Sequence, residues 1–363
     1  MGERIIVLDI AIPAFLGNRI LDAAFAARFP GGSVWPLFAQ KAEARGWRVM
    51  TADLFLNREI SPSVASCVSN EGHPATIAAL TRRRVKMAVI WSGESPNVAW
   101  DFYHGLAERA RPFRHAFVFR GFHSRLPQGV ERHAFCWPNS ARRVAGPPWE
   151  KRGLAVMVVS VKQRIGVNYA RRLSRLAWGW RWLKIRRIQL VDPMLRFPDL
   201  YETRIQAVEN LAPRSGFRLF GGGWQAARRH NGRIGRILFA RDPEECEDKL
   251  ATISNYRFTV CLENCEYPGY LTEKIFDAML AGTVPVYLGA PDIVDYIPRG
   301  CFIDVREYRD WDALWQRLAA MTRVEWQSWR HAIEGFLASP EYRVFDEERI
   351  AGSFANLATT QSE

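Results

Sequence analysis

Short, continuous apolar runs recur along this chain with polar stretches between them, the pattern of strands buried on both faces of a parallel sheet. In the first part, Ile5–Ile10, Trp47–Met50, Ala88–Trp91 and Ala116–Arg120 read as such strands, separated by helical or looping stretches such as 20–29. A second series lies near Leu154–Ser160, Arg218–Phe220, Phe258–Leu262, Val284–Leu288 and Cys301–Ile303. Between the two, Pro147-Pro148 and the charged Glu150-Lys151-Arg152 mark a linker, because paired prolines resist both helix and central strand. This predicts an α/β protein of two Rossmann-like domains, 1–150 and 151–363. From Trp311 onward Leu314, Trp315, Leu318 and Met321 recur at helical spacing, as core or interdomain packing positions.

The segment 257–305 carries the most chemistry. The run Phe258–Leu262 ends in a polar loop, 263–269, and Thr272 is placed to cap a helix over 273–281 that Gly282 stops before the strand Val284–Leu288. In open parallel sheets ligands sit at the carboxyl ends of strands, where a helix N-terminus offers free N–H groups to phosphate. Lys274 falls in the first turn of that helix, a poor place for a cation against the helix dipole, and a bound anion would explain it. The unit therefore predicts a diphosphate site.

These residues also resemble a known family. Glu263-Asn264, Tyr270, Thr272-Glu273-Lys274 and Val284-Pro285-Val286 with Gly289 are similar to the donor-binding core of the family 10 α-1,3/4-fucosyltransferases. Ser92-Gly93-Glu94-Ser95-Pro96-Asn97, after the strand Ala88–Trp91, resembles that family's Glu-Ser-Pro loop. Ala155–Ser160, Arg204 with Ala207 and Leu211, and Phe220-Gly221-Gly222-Gly223 follow in matching order. The resemblance implies a GT-B glycosyltransferase whose two Rossmann-like domains face each other across a cleft, 1–150 binding the acceptor and 151–363 the GDP-sugar donor. It implies inverting transfer of L-fucose from GDP-fucose to a glycan hydroxyl, with Glu94 as general base. Arg204, Asn264, Tyr270, Glu273 and Lys274 would bind the donor, Glu273 at the ribose. Two other readings stay open. One is a transferase of the same architecture using another GDP- or UDP-sugar. The other is a non-catalytic glycan- or nucleotide-binding protein, which the presence of Glu94 disfavours.

Composition and charge refine the picture. With 363 residues, 48% of them hydrophobic, the chain can bury two ordinary cores. The formal net charge is +12, and 151–191 holds many lysines and arginines, no Asp or Glu, and the interleaved Trp178, Trp180 and Trp182. Since the family pattern breaks here, 161–197 reads as an insertion. It is either a solvated basic helix packing its tryptophans or a segment that lies at an anionic membrane surface. No recognition motif accompanies the charge, so nucleic acid is not expected. The start of the chain lacks a secretion signal and no apolar stretch approaches a membrane span, which predicts a bacterial cytoplasmic enzyme, peripheral on the inner membrane face under the second reading. The six cysteines form no CxxC pair and read as buried free thiols. The seven histidines show no HxxH or HxH spacing, and Asp310-Trp311-Asp312, which imitates a metal-binding DxD, reads as a helix cap by Asp310. No metal and no cofactor are therefore expected.

Overall fold

The computed structural model describes residues 2–10, 12–58, 60, 62–140, 142–160, 183, 187–225, 232–240 and 243–360. They form two compact units, Met1–Ser140 with Tyr342–Glu363, and Ala141–Glu341.

The first unit is built on six strands, β1 (Arg4–Asp9), β2 (Arg48–Thr51), β3 (Val64–Asn70), β4 (Lys86–Trp91), β5 (His115–Val118) and β6 (Glu131–Ala134), ordered β2-β1-β3-β4-β5-β6. Every neighbouring pair is parallel. Ile5 to Leu8 are fully buried, as a central strand covered on both faces requires. Two strands go beyond the sequence reading. In β3 the buried Ser66 and Ser69 interrupt the apolar run, and β6 is a polar edge strand with no run to find. The helix Glu347–Thr359 lies against the helix Val34–Glu43 and against β3 and β4. Its Phe354 sits among the rings of Trp35, Trp91 and Phe117, with centroids 6.1, 6.2 and 4.8 Å away. From sequence this C-terminal stretch is expected in the donor-binding half, 151–363. Its apolar face belongs to the first sheet instead.

The second unit carries β7 (Gly153–Val158), β8 (Phe217–Phe220), β9 (Tyr256–Leu262), β10 (Val284–Leu288) and β11 (Ile303–Asp304), all parallel and ordered β11-β10-β9-β7-β8. The expected break at 150/151 falls at 140/141. Residues ahead of β7 are already tied to this unit: Val144 N–H donates to the Leu280 carbonyl at 3.0 Å. Arg152 donates to the carbonyls of Pro147, Tyr256 and Gly282 at 2.7, 3.1 and 2.8 Å. Asp310 caps the helix Trp311–Ala320 by accepting from Ala313 N–H at 2.8 Å, and Leu314, Trp315, Leu318 and Met321 are buried. Most of the basic Trp-bearing stretch, 161–182 and 184–186, lies outside the described residues. Of its remainder, Leu190 and Val191 are exposed. Among the described residues no helix is long and apolar enough to cross a membrane.

Candidate functional site

In the second sheet the chain order reverses between β7 and β9, and it is outside the carboxyl ends of two such strands that open α/β sheets bind ligands. Glu263 follows β9 directly and is fully buried. Such a carboxylate must be matched by donors. Thr272 supplies its backbone N–H at 2.8 Å and its hydroxyl at 2.8 Å, and Lys274 Nζ lies at 2.9 Å from Oε2. Gly289 makes the burial possible, because a Cβ there would stand 2.5 Å from Glu263 Cγ and 2.4 Å from the Tyr287 hydroxyl. Thr272 does occupy the N-cap position of the helix Glu273–Leu280, yet its side chain makes no cap bond, being turned to Glu263. Lys274 thus has a partner within the protein that accounts for its place at a helix start. Its ammonium is also 3.8 Å from Glu273. Burial works against the charge on Lys274, but the Glu263 and Glu273 carboxylates hold it above its usual range. Burial likewise opposes ionised Glu273, and Lys274 and Lys249 more than offset it, holding that carboxyl below the usual range. Lys249, at the start of the helix Lys249–Ile253, pairs with Asp277 at 2.6 Å. The cations Lys249 and Lys274 thus meet the carboxylates Glu263, Glu273 and Asp277, so the cluster has no spare positive charge.

Arg204 is placed differently. It lies in the first turns of the helix Tyr201–Leu211, and its Nη2 donates to Asn264 Oδ1 at 2.9 Å. The Asn264 carbonyl accepts from Leu200 N–H at 3.0 Å and Glu266 N–H donates to the Pro198 carbonyl at 2.9 Å, which docks the start of this helix on the end of β9. Arg204 Nε is buried without a hydrogen-bond partner among the described residues. Burial depresses the guanidinium's proton affinity, while Tyr270 and Glu263 nearby favour its charge. Arg204 lines a small pocket with Val159, Ser160, Tyr201, Ile205 and Trp224. Trp224 is fixed there by its indole N–H, which donates to the Val159 carbonyl at 2.9 Å. Gly221, at φ +119°, lets the chain pass that same carbonyl, since a Cβ would come within 2.5 Å of it. The structure therefore brings Arg204, Asn264 and Tyr270 together beside this pocket, and sets Glu273 and Lys274 in the ion cluster across Glu263. Tyr267, by contrast, packs edge-on against Phe197.

Glu94 stands in the first unit, in the loop after β4, and is exposed. Its backbone is held by two bonds: Glu94 N–H donates to the Ser92 hydroxyl at 3.3 Å, and the Tyr103 hydroxyl donates to the Glu94 carbonyl at 3.1 Å. At Gly93 any Cβ would meet the rings of Phe135 and Trp137 at 2.8 and 3.1 Å. A solvent-facing carboxylate on a fixed backbone can take a proton from a bound hydroxyl. Sequence reading missed the carboxylate beside it. Glu71 follows β3 with φ +65°, a left-handed conformation rare outside glycine, and accepts from the Ser92 hydroxyl at 3.0 Å. Burial raises the Glu71 carboxyl above its usual range, the Ser92 bond offsets part of that, and the charge on Glu94 adds to it. The signal was a Glu-Gly pair at a strand end, readable only once β3 is recognised.

Parts of this chain are similar to known proteins. Residues 201–337 match the model of the C-terminal domain of glycosyltransferase family 10 (fucosyltransferase). Over 127 residues the chain is 35% identical to α-(1,3)-fucosyltransferase 4 of Homo sapiens, covering 30% of this chain and 24% of that one. Over 67 residues it is 37% identical to α-(1,3)-fucosyltransferase FucT of Helicobacter pylori, covering 18% of this chain and 14% of that one. The matched segments thus span less than a quarter of either relative. The fold is similar to that of Alr3699/HepE of Anabaena, solved in complex with UDP, with a TM-score of 0.55 over 98% of both chains at 11% identity. The chain is thus a protein of two parallel α/β units whose fold is similar to that of GT-B glycosyltransferases, and residues 201–337 of its second unit are similar to the C-terminal domain of glycosyltransferase family 10.

Proposed function

We propose that this protein transfers L-fucose from GDP-fucose to a glycan hydroxyl by a single displacement that inverts the anomeric carbon. The observation that carries the reading is Arg204, a largely buried guanidinium at the pocket beyond the carboxyl end of β7 with its Nε unpartnered among the described residues, within the domain matched to family 10. A planar fork with a free edge suits two oxygens of a diphosphate. Asn264 and Tyr270 position that fork, and Glu273 is assigned to the ribose hydroxyls. Lys274 acts through Glu263, holding the helix start in place. Glu94 takes the acceptor proton as the hydroxyl attacks. An oxocarbenium-like transition state needs mainly position and compensating charge. The reaction needs no metal in this scheme, and turnover in the presence of EDTA tests that.

The function itself is tested by thermal unfolding against GDP-fucose, GDP-mannose, GDP, UDP and UDP-sugars, because a ligand that binds the folded state stabilises it. GDP and GDP-fucose are expected to raise the midpoint and the uridine series to leave it unchanged. Stabilisation by a UDP-sugar alone overturns the donor assignment. Placement of the protein in the cytoplasm, and contact of 161–197 with anionic lipid, belong to the same proposal. Cosedimentation with anionic but not neutral vesicles, reversed by salt, is the outcome expected for the lipid contact.

A further inference from the structure

Far along the chain from the pocket residues, the first unit gathers two imidazoles and a carboxylate at its sheet edge. β5 and β6 pair in register, His115 opposite Glu131 and Phe117 opposite His133. Residues two apart on a strand share a face, so all four side chains stand on one side of the sheet. His115 Nδ1 lies 3.3 Å from His133 Nε2 and 3.3 Å from Glu131 Oε2. All three candidate ligand atoms lie within 4.8 Å of one another. His115 is buried, and the His133 ring is stacked on Phe117 at 4.4 Å with 11° between planes, so both imidazoles are held in place. The Glu131 side chain is about half exposed and has Arg114 Nε at 3.5 Å from its other oxygen.

We propose that His115, His133 and Glu131 bind one divalent transition-metal ion of the zinc class, which staples the edge strand β6 to β5. Three features favour an ion over a simple hydrogen bond. First, one nitrogen meets two partners at equal distance, although a single ring nitrogen has one proton or one lone pair to offer. Second, 3.3 Å is long for an N–H···N bond, whereas tetrahedral bonds of roughly 2.0–2.1 Å set neighbouring ligand atoms about 3.3–3.4 Å apart. Third, two imidazoles and one carboxylate can offer three lone pairs to one ion, and bound as neutral rings with a carboxylate they bring one net negative charge to a dication. Two imidazoles and a carboxylate suit zinc and leave a fourth position for water. Glu131 and His115 begin their strands, at the amino ends, whereas Glu94 follows β4 at a carboxyl end. The ion is therefore structural. The spacing of histidines along the chain concealed it, because His115 and His133 are brought together by strand pairing across 18 residues.

The test uses the whole chain, freed of metal by chelator dialysis and then titrated with Zn2+ and, separately, with Co2+. One equivalent per chain by elemental analysis, a raised unfolding midpoint with Zn2+, and the visible d–d absorption of four-coordinate Co2+ are expected. His133→Phe keeps a ring on Phe117 but removes a ligand, and should abolish the absorption. Glu131→Gln alters an exposed side chain with little risk to folding, and should weaken binding at least about tenfold. The six free cysteines are untouched in both variants. Equal metal uptake by wild type and variants would assign the ion to thiols and overturn the proposal, as would the lack of any midpoint shift or Co2+ absorption in the wild type.

Discussion

At the scale of single residues, the two carboxylates beside β4 separate chemistry from stability. Glu94→Gln removes a base without changing the shape of an exposed side chain, and Glu94 belongs to the unit that lacks the family 10 match. Turnover is expected to fall roughly 10²–10⁴-fold with GDP affinity unchanged. Normal turnover in the variant would move the base elsewhere, with Glu71 the first candidate. Burial raises the Glu71 carboxyl above its usual range, so ionising it costs more in the folded than in the unfolded chain, and that difference lowers stability at neutral pH. Glu71→Gln is therefore expected to unfold at a higher temperature than wild type at pH 7. That gain should shrink as pH falls through the raised folded value and vanish near the ordinary 4.5. A gain independent of pH would show that charge is not its source. Of these two residues only Glu94 was legible in the sequence, because the Ser-Gly-Glu-Ser-Pro loop follows an obvious apolar strand. Glu71 follows β3, whose buried serines hide the strand and with it the loop.

At the scale of elements, the β9-loop-helix-β10 unit was read almost whole from sequence, and its boundaries differ from the expectation by only a residue or two. What sequence left unread was the wiring inside it. A lysine in a first helical turn suggested an anionic ligand, but a buried glutamate eleven residues earlier is the anion it meets. Pattern reading sees charge against the helix dipole and is blind to a carboxylate delivered by a neighbouring strand. The two cations should consequently respond differently to truncation. Lys274→Ala leaves Glu263 buried with its hydroxyl and amide donors but no countercharge, a loss on the order of 3–5 kcal/mol in folding. Arg204→Ala removes a guanidinium that already lacks one partner, so its cost to folding should be small and its cost to GDP binding large. Chemical denaturation and GDP titration of both variants check this. Equal stability of the two, with equal loss of GDP affinity, would return Lys274 to the diphosphate.

At the scale of the whole molecule, composition predicted two cores and pattern predicted two parallel sheets, and both are present. Chain order misled in one respect. A helical tail after the second sheet reads as part of that sheet's unit, since nothing in a periodic apolar face says which core it covers. Here the tail from Tyr342 returns to the first unit, where Ala351, Phe354 and Ala355 are buried. The rings of Trp35, Trp91 and Phe117 would lose their cover without it. A fully buried Phe contributes about 1.5–3 kcal/mol on transfer alone, and several neighbours on that helix are buried with it. A chain ending at Glu341 is therefore expected to lose stability in residues 1–140 and keep it in 141–341. Limited proteolysis should cut such a chain first between its amino terminus and Ser140. The second unit should survive as a protected fragment that still binds GDP. Protection of the first unit and cleavage of the second would mean that the tail supports the second unit after all.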